Sequence, residues 1–137
     1  MGHSMFAEKA LDEEIKGVHA FYNEEIFAEV YASNLLMRST DILITKPSEL
    51  AFYPVSKLMI KRVGGHEAWG AIRTAELGDG TIECEEVNRA IQMLELMLTN
   101  DEILTMLTQN IINANSIGVY NGAYRVVELA VKERENK

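Results

Sequence analysis

The feature that most constrains this chain is the recurrence of apolar side chains every three or four positions over three long stretches. That spacing puts them on one face of a helix and cannot be satisfied by a strand, whose faces alternate every second residue. In Ala7–Arg38 the series runs Leu11, Ile15, Val18, Tyr22, Ile26 and Val30, with Glu8, Asp12, Glu13, Glu24, Glu25 and Glu29 mostly elsewhere on the wheel. The spacing predicts one long helix there, a spine of the core, with Gly17 marking a bend or a close crossing. In Glu83–Thr99 the face is Val87, Ile91, Leu94 and Leu98, and after Asn100-Asp101 it resumes with Ile103, Leu104, Leu107 and Ile111. Asn113, Asn115, Ser116 and Gly118 then predict a break.

Two stretches carry mixed signals. Asp41–Thr45 is a short apolar run, readable as a buried strand or an extended connector. Thr45 reads as the cap of a new helix with Pro47 in its first turn, and Pro54 interrupts it. Val55–Val63 then reads as a helix closed by Gly64-Gly65, or Leu58–Val63 pairs with Trp69–Ala75 as a hairpin. Around residues 117–129, Asn121-Gly122 is a hairpin signal. Against it, Ala123, Val126, Val127 and Ala130, followed by Lys132 and Arg134, suit a helix with cations at its C-terminus. Helix is the reading adopted.

The fold expected is therefore mainly α: a compact single-domain helical bundle over residues 5–137, with a small β-hairpin at residues 58–77 as the alternative for the middle third. Met1–Ser4, ahead of a second Met5, read as a vector remnant, so His3 carries no weight. At 137 residues the chain is long enough to bury a core without metals or disulfides. Its one cysteine, Cys84, cannot form an intrachain disulfide. With no secretory signal and no apolar run near the ~18 residues of a membrane span, a cytoplasmic location without membrane contact is expected.

Charge narrows the partners. The net charge is −8, which argues against broad binding to nucleic acid or anionic lipid. Residues 38–73 are the exception, with six bases against three acids. Lys57, Lys61, Arg62 and Arg73 there, with Trp69 to stack, predict a strip over residues 57–73 for nucleic acid or an acidic partner. A solvated face and a core tryptophan explain the same residues.

The sharpest local pattern is Gly78-Asp79-Gly80-Thr81-Ile82-Glu83-Cys84-Glu85-Glu86. It resembles the second half of an EF-hand calcium loop, which implies Asp79 and Glu86 as divalent-cation ligands within residues 75–86. Loop positions one and three fall on Ala75 and Leu77, which offer no side-chain oxygen. A Gly-Asp-Gly turn feeding an acidic helix start explains the pattern without a metal.

No Glu-x-x-His pair accompanies His19 or His66, and no phosphate-loop signature occurs. Cys84 and His66 are a nucleophile and a base that spacing alone does not bring together. Gly64–Gly70 is glycine-rich and reads as a flexible turn. No cofactor is implied, and an enzyme ranks last. The leading expectation is a non-enzymatic interaction or assembly protein, a subunit of a homo-oligomer or larger complex. Met93, Leu96, Met97 and Met106 supply adaptable apolar surface beyond one core-facing stripe.

Overall fold

The computed structural model describes residues 16–135. It is mainly helical, with a small parallel sheet in its middle third. The chain divides into two compact units, Met1–Asp41 and Ile42–Lys137.

In the first unit the helix α1 covers Ile26–Leu36. The expected helix over Ala7–Arg38 is therefore corrected: Ala7–Ile15 lie outside the described residues, as does the Met1–Ser4 remnant, and residues 16–25 are not helical. Two local causes act. Gly17 takes φ +100°, a left-handed conformation that interrupts an α-helix. The Asn23 side chain then accepts from the Glu25 N–H at 2.9 Å, offering the backbone an alternative to the helix ladder. The other end is closed by hydroxyls, since Ser39 and Thr40 both donate to the Leu36 carbonyl. Nor is α1 a spine: Ala32 is buried, while Ile26, Phe27, Val30 and Tyr31 are half exposed or more.

The second unit is built on β1 (Leu43–Thr45) and β2 (Lys57–Met59), which pair in parallel with Ile44 opposite Leu58. The middle third thus holds a sheet, but not the hairpin at residues 58–77 and not a helix over Val55–Val63. On the far side of β2 the chain returns in parallel, bridging Lys57 to Gly80 and Ile60 to Cys84. The Lys57 N–H donates to the Asp79 carbonyl, and the Cys84 N–H to that of Met59. β2 is thus flanked on both edges and all three of its residues are buried, as befits a parallel strand.

Between the strands, Glu49–Phe52 forms a 3₁₀ turn preceded by Ser48; Thr45 lies in β1 and its hydroxyl donates to the Lys46 carbonyl instead of capping. After β2 a second 3₁₀ turn, Gly65–Glu67, runs into α2 (Ala68–Leu77). That helix ends where Gly78 adopts φ +66°, the left-handed closure that glycine supplies without strain.

The spacing-predicted helices follow. α3 spans Val87–Thr99 and starts four residues later than expected, because the sheet draws in the chain as far as Cys84. α4 spans Asp101–Ser116, and the Asn100 side chain caps it by accepting from the Glu102 N–H. It runs through Asn113 and Asn115, and the break falls at Gly118, φ +80°. α5 spans Gly122–Glu135, the helix preferred over a hairpin there. Leu58, Cys84, Met97 and Leu107 form the core, with Ile42, Ala90, Met93, Leu94, Ile103 and Leu104 packed against it. One residue of β2 and one face each of α3 and α4 therefore share a single apolar cluster.

Candidate functional site at the carboxyl ends of the strands

Parallel strands end side by side, so the loops that follow them emerge together. Ligands of open α/β sheets bind in the crevice those loops enclose. Here the loop after β1 (Lys46–Glu49) and the segment after β2 (Gly64–Gly70) form such a crevice of about 390 Å³. Its lining includes Lys46, Ser48, Glu49, Phe52, His66 and Trp69.

Three interactions fix the shape of this crevice. The Lys46 ammonium pairs with Glu67 Oε1, clamping the first loop to the second. Glu67 Oε2 accepts from the backbone N–H groups of Val63, at 2.7 Å, and Gly64, at 3.3 Å, holding the second loop to itself. Together, the Lys46 bond first and the backbone donors next, they hold the Glu67 carboxyl pKa down at about 2. Third, Gly70 lies so close to Pro47 that a Cβ there would sit 2.9 Å from the Pro47 carbonyl oxygen. The missing side chain is what lets α2 approach the β1 loop. Across this clamped floor Trp69 stands 76% exposed, its ring a platform open to solvent.

At the opposite ends of the strands lies a buried ionic centre. Lys57 and Asp79 are both fully buried, with Nζ 2.8 Å from Asp79 Oδ2. The Tyr120 hydroxyl donates to the same Oδ2 at 2.8 Å. Burial lowers the Lys57 pKa, against the pull of Asp79. Burial first, and donation to Asp79 second, raise that of Tyr120. Arg73 reaches between two rings, 4.8 Å from the Phe52 centroid and 5.9 Å from that of Tyr120.

These positions revise several sequence-based expectations. Of the strip at residues 57–73, Lys57 is fully buried inside the protein and paired with Asp79. Arg62 is paired with Glu83 at 3.1 Å, Arg73 is stacked on Phe52, Lys61 is exposed beside an apolar groove, and Trp69 is in the crevice. The strip is not assembled as one surface. Asp79 is engaged by Lys57 and Tyr120, whereas Glu86 is exposed just ahead of α3. Among the described residues no group of three His, Cys, Asp or Glu side chains is placed to hold a metal ion. Cys84 is buried and His66 lines the crevice, so the two serve different places.

Of the interaction residues, Met97 is core and Met93 packs against it, while Leu96 and Met106 are exposed. A second concavity, of about 360 Å³ and almost entirely apolar, runs from Ile44, Leu58 and Ile60 to Val87, Ile91 and Leu94. No helix among the described residues is long and apolar enough to cross a membrane.

Sequence reasoning missed Lys46, Ser48, Glu49, Phe52, His66 and Glu67 as a group. The signal was present as a strand followed by Gly-Gly and a helix, but it becomes visible only once Lys57–Met59 is known to be a strand.

The chain is mainly helical, and its second unit is organised on a parallel strand pair with a crevice at the strand ends. The chain belongs to the family described as a domain of unknown function, DUF6938, whose model matches residues 1–131. No curated protein and no solved structure matches it.

Proposed function

We propose that the second unit is a ligand-binding unit that holds a small hydroxyl-bearing molecule with a ring face, a nucleoside or a sugar, in the strand-end crevice. The observation that carries this reading is the clamp of Lys46 on Glu67, which fixes two loops around a solvent-open cavity at the carboxyl ends of parallel strands. The chemistry of the lining selects the class. Trp69 offers a stacking face, worth ~1–3 kcal/mol for a flat ring. Glu49 and Ser48 offer oxygen acceptors for ligand hydroxyls, and His66 adds a ring nitrogen. With Lys46 engaged by Glu67, Glu49 tips the remaining charge negative, which favours hydroxyl donors over free anions.

Trp69 is the chain's one tryptophan, so its fluorescence reports on this cavity. Titration with adenosine, uridine and methyl glucoside distinguishes the two ligand sources. A saturable change with one of them supports the reading, and Glu49→Gln weakens it by roughly ten-fold, equivalent to ~1.4 kcal/mol. Calorimetry on Trp69→Ala gives a loss of similar size. An unchanged spectrum up to about 10 mM of every probe contradicts the reading.

A second reading is the assembly role expected from the sequence. It is favoured by exposed apolar surface: the groove from Ile44 to Leu94, and the helix α5, on which no described side chain is buried. Light scattering over a concentration series tests whether the chain self-associates, and a strict monomer counts against it.

A further inference from the structure

We infer that α5 is a self-association helix that pairs antiparallel with α5 of a second copy of this chain. The inference rests on the assembly reading and narrows it to one helix and one partner.

α5 is 14 residues long, a length at which an isolated helix is marginal in water. Yet Tyr124 is 80% exposed, Val127 62% and Val131 49%. Tyr124, Val127, Val131 and Arg134 recur at intervals of three, four and three residues, the seam spacing of a two-stranded coiled coil. At 100° per residue they fall within an arc of about 80°. Ala123 and Ala130, each one residue before a seam position, are small enough to let a second backbone come close. Arg125, Glu128 and Lys132 lie away from the seam, and Lys132 donates to Glu128 at 2.7 Å along the helix.

Charge complementarity sets the direction. A parallel pair would set Arg134 against Arg134 of the second copy and leave the two tyrosines together. An antiparallel pair centred on Leu129 sets Tyr124 against Arg134 of the second copy and Val127 against Val131. The two Tyr124–Arg134 layers then each place a guanidinium on an aromatic ring, a favourable contact. The seam is self-complementary about a two-fold axis, so it closes at a dimer and does not propagate. A helix about 21 Å long buries less than the ~800 Å² per partner of a standard interface. The dimer is therefore weak and concentration-dependent.

The test uses the full chain in two measurements. Sedimentation equilibrium reads mass against concentration, and oxidative cross-linking reads which positions meet. A mixture of Val127→Cys and Val131→Cys variants should form a mixed disulfide, with little from either alone; Cys84 is buried and does not compete. Val127→Glu should abolish the concentration-dependent mass without changing the melting temperature. Self-linking of Val127→Cys alone would show a parallel pair and overturn the proposal. A concentration-dependent mass with no α5 cross-link overturns the α5 pairing but leaves self-assembly standing. A monomer throughout, at concentrations approaching millimolar, overturns both.

Discussion

β2 and α5 invert the usual relation between polarity and burial. β2 opens on a lysine and lies wholly inside the protein; α5 carries five large apolar side chains, none of them covered. The lysine can be buried because Asp79 meets it at 2.8 Å and Tyr120 supports Asp79 from a loop some forty residues away. The apolar side chains of α5 are exposed, and just ahead of the helix that same Tyr120 is tied to Asp79. In this molecule a residue's burial depends on what the fold places opposite it, more than on its own polarity.

Breaking the buried pair is the largest test of that contrast. Asp79→Ala leaves an ammonium in the core with no counter-charge and should cost about 3–5 kcal/mol in denaturant unfolding. Replacing both partners, Lys57→Met with Asp79→Leu, should recover most of that loss. Tyr120→Phe removes one hydrogen bond to a charged acceptor, for about 1.5–3 kcal/mol.

Gly70→Ala pits two effects against each other. Alanine gains about 1 kcal/mol of helix propensity in α2, but its Cβ would press on the backbone of Pro47. Overpacking against backbone costs roughly 1–3 kcal/mol, so the net effect should be a small loss of stability and a larger loss of ligand binding.

A pH series isolates the clamp. Because the Glu67 carboxyl is held at about 2, below its ordinary 4.5, its contribution to stability is complete above pH 4.5 and is lost as pH falls toward 2. The gap in melting temperature between the protein and its Glu67→Gln variant should therefore be widest at neutral pH and narrow steadily below 4.5. At the other extreme, Val127→Ser on α5 should change the stability of the dilute chain by less than about 0.5 kcal/mol.

The same contrast explains what was legible in the sequence. α3 and α4 were readable because each presents one apolar face to the core, so spacing and burial agree. α5 was readable as a helix from its spacing and its C-terminal cations alone, and spacing said nothing about whether its face is covered. β2 was not: Lys57, Lys61 and Arg62 fall at helical intervals, and only the distant Asp79 makes a buried lysine tolerable. The start of α1 was lost to Gly17 and Asn23, single residues that override a run of apolar spacing. The crevice went unread for a topological reason. Lys46–Glu49 and Gly64–Gly70 are separate loops in sequence, and they become one site only when the strands before them lie parallel.

The proposed ligand site requires that those two loops respond together to one ligand. An NMR titration of the ¹⁵N-labelled chain with the probe that perturbs Trp69 tests it most directly. Saturable shifts are expected, concentrated in the amides of Lys46 and Ser48–Glu49 and of Gly64–Gly70. Shifts confined to the groove between Ile44 and Leu94, or none at any concentration, would contradict it.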